Sequence, residues 1–177
     1  MHKKSTTLFL TANAILAALY AALTIVLAPI SYGPLQFRVS EALTALPFLI
    51  PGSVLGITIG CLIANLYTGS VLDIVFGSLA TLLAGLATAW FGKQGNTVKN
   101  RVLGCFMPVL FNAVIVGAVL TWGYQFQEFD SPLKSYGFNA LTVGIGEAGV
   151  LYLIGYPLLC QLPKLKAFRE FAEKISR

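Results

Sequence analysis

Residues 39–67 read VSEALTALPFLIPGSVLGITIGCLIANLY. The stretch is apolar enough to enter lipid, but Pro47 and Pro51-Gly52 interrupt it. A proline inside a helix removes a backbone donor and crowds the preceding turn. Read as one broken span, the stretch gives five membrane helices. Read as two short helices turning at Pro51-Gly52-Ser53, it gives six.

Four other windows are long enough to cross lipid: 8–28, 71–91, 102–124 and 138–160. A helix of 21 to 23 residues covers roughly 31–35 Å, against a hydrocarbon core of about 30 Å. None of these windows holds more than one formal charge. The chain is 56% hydrophobic and 11% charged, where a soluble domain carries about 25% charged residues. These features predict an all-α integral membrane protein, a single domain over 1–177. The short alternating strands of an outer-membrane barrel are absent from the sequence.

Positive charge decides the number of spans, because cytoplasmic loops are enriched in Lys and Arg. With six helices (8–28, 39–50, 53–67, 71–91, 102–124 and 138–160) both termini are cytoplasmic. Ten basic residues then lie inside, including Lys93, Lys99 and Arg101, and only Arg38 and Lys134 lie outside. With five, the 93–101 loop and the tail move outside with their eight basic residues. Six is therefore expected. The apolar run after Lys3-Lys4 exceeds a usual signal-peptide core, so an uncleaved first helix is expected. The tail 164–177 has Leu165, Phe168, Phe171, Ala172 and Ile175 on one face, and is expected to lie along the inner membrane surface.

Several chemistries find no support. Gly144, Gly146 and Gly149 spell G-x-G-x-x-G, but inside an expected membrane helix rather than between a strand and a helix. No Walker A sequence is present, so any ATP hydrolysis belongs to another chain. Cys61, Cys105 and Cys160 lack metal-ligand spacing and read as small buried hydrophobes. The only histidine is His2. No metal, cofactor or enzymatic site is expected, and the net charge of +5 reflects membrane topology rather than nucleic-acid binding. Small-residue repeats at Gly52/Gly56/Gly60, Ala14/Ala18/Ala22 and Ala80/Ala84/Thr88 suit close helix packing.

Four charged residues remain in or near the membrane: Arg38, Glu41, Asp73 and Glu147. A charge at a helix centre costs about 2.5–3.5 kcal/mol on insertion scales and usually marks function. Glu147 lies near mid-depth and is the leading candidate. Asp73 fits two readings, since Ser70-Val-Leu-Asp73 is also a capping-box pattern. Arg38 and Glu41, three apart, suit a local ion pair at the outer surface, with Ser40 capping the helix, or a role in gating or ligand contact. Tyr32, Gln36, Asn65, Tyr67, Asn139 and Thr142 share the outer half, Asn112 sits deeper, and Phe37 follows a turn at Gly33-Pro34. Together they describe an externally open pocket with aromatic surfaces, amides and carboxylates.

The blocks APISYGPLQFRVSEALTALPF (28–48) and ANLYTGSVLDIVFGSLATLLA (64–84) resemble the QueT-type queuosine-precursor transporters, which are substrate-binding S components of energy-coupling-factor (ECF) transporters. The resemblance implies six helices in a bacterial plasma membrane and a cavity near the outer face. It also implies partners: a membrane coupling subunit docked on Ala14, Ala18 and Ala22, and two ATPase subunits. The cargo it implies is a 7-deazaguanine such as preQ1, preQ0 or queuine. On chemical grounds Glu147 suits the guanine-like edge, Glu41 or Asp73 an amine, and Tyr32, Phe37 or Tyr67 the ring. A stand-alone ion-coupled transporter is the alternative; Asp73 and Glu147 would then titrate.

Overall fold

The computed structural model describes residues 6–32 and 36–176, and these are helical with no strand. The turn expected at Gly33-Pro34 lies outside the described residues, as do Lys3 and Lys4. Helix α1 spans Thr6–Val26 and a one-turn α2 covers Ala28–Ser31. A 3₁₀ helix, Val39–Phe48, then leads through a short turn at Pro51–Ser53 into α3, Val54–Thr68. Next come α4, Ser78–Lys93, and α5, Val98–Ala118. The long final rod contains α6, Pro132–Val150, and α7, Tyr156–Gln161. The amphipathic α8, Lys166–Ser176, closes the described chain. Among the described residues, five helical segments are long and apolar enough to cross a membrane.

The first correction concerns 39–50, expected as an ordinary short helix. Ten of its residues, Val39–Phe48, form a 3₁₀ helix, where runs beyond three or four residues are uncommon. At about 2.0 Å per residue it reaches roughly 20 Å, where an α-helix would reach about 15 Å. Side chains three apart eclipse one another, so the sequence falls into columns. Ala42, Ala45 and Phe48 enter the main apolar core beside Cys105, Val109, Val150 and Leu151. Leu43 packs on the second core of Tyr20, Ile57, Cys61 and Ala64. The remaining column carries Arg38, Glu41 and Thr44, all buried.

This thin helix runs through the middle of the bundle. Phe48 lies against Gly104 near the start of α5, and its carbonyl abuts Gly92 at the end of α4. Arg38 is therefore at the opposite end from the basic 93–101 loop. Ser40 does not cap the helix; Arg38 occupies that position, and the Ser40 hydroxyl pairs with Thr24 Oγ1 at 2.6 Å.

Small residues set the spacing, as expected from their repeats. A Cβ at Gly56 would fall 2.7 Å from the Asn13 carbonyl oxygen, and one at Gly60 equally close to that of Ala17. Helices α1 and α3 thus meet backbone to backbone. Asn13 Oδ1 exploits the approach by accepting from the Gly56 amide at 2.7 Å. Ala80, Ala84 and Thr88 are fully buried in α4. Ala14, Ala18 and Ala22 differ: they are exposed on the outer side of α1, while Asn13, Ala17, Tyr20 and Thr24 face inward.

Three helices widen into π turns: Asp73–Gly77 before α4, Val119–Gly123 after α5, and Leu151–Gly155 between α6 and α7. Such turns are rare and concentrate at functional sites. Gly144, Gly146 and Gly149 lie within or at the end of regular α6, not in a loop.

Candidate functional site

A cavity of about 260 Å³ opens where α1, α3 and α5 end and α4 begins. Two of the π turns line it, through Asp73 and Gly77 on one side and Val119 and Leu120 on the other. Tyr32, Gln36, Arg38, Asn65 and Thr68 supply its polar wall; Tyr124 and Phe126 supply its aromatic one. Gln36 holds φ +43°. That left-handed conformation is uncommon for a residue with a side chain, and such strain clusters at functional sites.

Arg38 is only 9% exposed. Its guanidinium lies 5.2 Å from the centre of the Tyr32 ring, and Nη1 is 3.9 Å from Cys61 Sγ. The surface ion pair considered for Arg38 and Glu41 does not form. Both residues are buried, and the ion pair found among the described residues is Lys166–Glu170 on α8. Arg38, extended just ahead of the 3₁₀ helix, turns to Tyr32 and Cys61, while the first turn directs Glu41 toward α1. There the hydroxyl of Tyr20 donates to Glu41 Oε1.

Glu147 is 3% exposed on α6. Asn112 Nδ2, from α5, donates to its Oε1 at 2.9 Å. Arg38 is near enough to both buried carboxyl groups to interact with them electrostatically. The three groups form an inner layer beneath the cavity, whose wall includes Arg38 but neither acid.

This layer is incompletely satisfied. Arg38 Nε, Glu41 Oε2, Asn65 Oδ1 and Glu147 Oε2 are buried without a hydrogen-bond partner in the protein. Leaving such a group unpaired costs about 1–3 kcal/mol each, and more when it is charged. Native proteins keep few of them. Two of these atoms, Arg38 Nε and Asn65 Oδ1, belong to residues of the cavity wall, as in a site whose polar partner comes from elsewhere.

The sequence matches a family model. That model, described as the QueT transporter, matches residues 10–164. The chain belongs to the QueT transporter family. A curated relative, the "Queuosine precursor transporter QueT" of Lactococcus lactis subsp. cremoris (strain MG1363), is 45% identical over 83 residues. That match covers 46% of this chain and 49% of the relative, so it spans about half the length of the protein it resembles. No solved structure matches. Family membership and the five apolar helices make this QueT-family chain a multi-pass membrane protein.

Other expected site residues fall into two groups in this QueT-family chain. Asn65 braces the cavity, donating to the Asp73 carbonyl at 2.9 Å while its own oxygen stays free. Asn139, by contrast, is structural: its Nδ2 donates to Thr121 Oγ1 and to the Phe126 carbonyl, both at 2.9 Å. Thr142 donates back to the Asn139 carbonyl within α6. Phe37 packs on the apolar core and against Gly149, away from the cavity. Tyr67 is 61% exposed and stacks on Tyr32 from outside, ring centres 6.4 Å apart. Tyr32 donates to the Ala64 carbonyl at 2.6 Å.

Sequence reading missed Tyr20, Tyr124, Phe126 and Cys61. The sequence suggests only a small buried hydrophobe at Cys61. It is instead a polar hub, accepting from Thr81 Oγ1 at 3.1 Å and Asn65 Nδ2 at 3.4 Å. A tyrosine facing inward from an apolar helix was the available signal for Tyr20, since a buried phenol seeks a partner.

Proposed function

We propose that this chain is the substrate-binding S component of an ECF importer for a queuosine precursor, a 7-deazaguanine such as preQ1, preQ0 or queuine. The observation that carries the reading is the cavity wall with its buried, unpartnered Arg38 Nε and Asn65 Oδ1, and the two further buried carboxyl groups with an unpartnered oxygen, Glu41 and Glu147, within electrostatic reach of Arg38. A guanine-type edge presents N1–H and an exocyclic amine beside a carbonyl. One carboxylate accepts both donors in a charge-assisted fork, and a guanidinium donates to the carbonyl. Glu147, held by Asn112, is assigned the donor edge; Arg38 takes the carbonyl. Tyr124 and Phe126 offer faces for the flat ring. The printed name of the Lactococcus relative supports this substrate class.

The 3₁₀ helix counts as the second of six crossings in this reading. The basic 93–101 loop and the tail support cytoplasmic termini, and with that orientation the cavity opens outward. Energy comes from two ATPase subunits through a membrane coupling subunit. The exposed alanines 14, 18 and 22 admit a close helix contact, and packing of this kind drives association in lipid.

Calorimetric titration of the purified chain with preQ1, preQ0, queuine and guanine tests the reading. Binding of a 7-deazaguanine is expected; no binding of any would overturn it. Uptake by proteoliposomes holding this chain alone would replace the ECF mechanism with ion-coupled transport.

A further inference from the structure

We infer that Asp73 is a specificity residue, the counter-ion that selects a 7-deazaguanine whose side chain ends in an ammonium group. The inference rests on the 7-deazaguanine reading and deepens it.

The capping explanation of Asp73 can be examined bond by bond. In a capping box the hydroxyl of the first residue accepts from the amide of the fourth, and the acid reaches back to the first amide. Here the first half is present, though long: the Asp73 amide lies 3.4 Å from Ser70 Oγ. The second half is not, because the Ser70 amide is bonded to Thr68 Oγ1 at 3.2 Å. The carboxylate is released from helix duty. It faces the cavity, where Tyr124 lies with its hydroxyl 2.7 Å from Asp73 Oδ2 and also in contact with Ser70 Oγ. Among the described residues no cation lies within 4 Å of it.

The surroundings suit a cationic guest. Arg38 is the cation on the cavity wall, and it lies within reach of Glu41 and Glu147. The wall thus carries one guanidinium and one carboxyl group, Asp73, with two more carboxyl groups within reach of Arg38, leaving no surplus positive charge to repel an ammonium. Unpartnered Arg38 Nε and Asn65 Oδ1, on the same wall, mark the cavity as a ligand site independently of Asp73. Tyr124, from the far side of the mouth, fixes the carboxylate and adds a ring face for the incoming cation.

Two ligands sharing one ring system isolate the effect: 7-aminomethyl-7-deazaguanine, cationic, and 7-cyano-7-deazaguanine, neutral. With the purified full chain, Asp73→Asn is expected to weaken the aminomethyl ligand about 10- to 100-fold, the scale of a lost charge-assisted hydrogen bond. The cyano ligand should bind as before, which also shows the variant is folded. Tyr124→Phe should give a smaller loss in the same direction. Equal loss for both ligands, or unchanged aminomethyl binding, overturns the inference. So does an unaltered chain that binds the cyano ligand as well as the aminomethyl one, while the 7-deazaguanine reading stands. If the unaltered chain binds neither, that reading falls and the inference with it.

Discussion

Tyr20 of α1 donates its hydroxyl hydrogen to Glu41 of the 3₁₀ helix, with both side chains almost wholly out of reach of solvent. One turn further, Thr24 and Ser40 pair across the same seam. The segment carrying Arg38 and Glu41 is thereby stitched to α1 on one side, while α1 presents its alanines on the other. Tyr20→Phe removes the donor and strands a second carboxyl oxygen. A loss of about 1–3 kcal/mol in stability is expected, read as a lower melting temperature in detergent. An unchanged melting temperature would show that the bond contributes nothing.

Glu147→Gln should weaken 7-deazaguanine binding by more than about tenfold, because an amide donor would then face a donor edge. Asn112→Ala should act partly through the same carboxylate. A double-mutant cycle is expected to show coupling of about 0.5–3 kcal/mol. Additive effects would separate Asn112 from the ligand.

Ala18→Leu places a branched side chain on the exposed face of α1 and touches none of the cavity residues. Ligand affinity should be retained while co-purification with the coupling subunit falls. Unimpaired assembly would remove that face from consideration as the docking surface.

Gly60→Val should be more damaging than most substitutions in the chain. Its Cβ would meet the Ala17 carbonyl oxygen at 2.7 Å and Tyr20 Cβ at 2.8 Å, so α1 and α3 must separate. Overpacking of this kind costs about 1–3 kcal/mol, occasionally more. Yield and thermal stability measure it. Because Tyr20 moves with α1, ligand affinity should drop as well.

Much of this was legible beforehand. The apolar windows located every long helix, because length and hydropathy are what lipid selects. Of the embedded charges, Arg38 and Asp73 line the cavity while Glu41 and Glu147 do not; a charge in an apolar segment is a signal the sequence does carry. Register and shape were less accessible. The three π turns leave no mark on an apolar sequence, yet two of them shape the cavity wall. The amides illustrate a second limit: Asn65 and Asn139 look alike in a sequence, but only the geometry shows that Asn65 lines the cavity with a buried, unpartnered oxygen while Asn139 uses its amide nitrogen to brace Thr121 and Phe126. The period of three in Arg38, Glu41 and Thr44 against Ala42, Ala45 and Phe48 was present in the letters. It is easily overlooked, because 3₁₀ helices of such length are rare.

That period constrains how the segment can change. Each residue in a 3₁₀ helix advances the chain by about 120°. Inserting or deleting one residue between Glu41 and Phe48 would turn the two ends by a third of a circle relative to each other. Phe48 could then keep its place against Gly104, or Glu41 its place against Tyr20, but not both. Indels of one residue should be lethal to function here and harmless in the 93–101 loop, a contrast that a deletion scan would reveal directly.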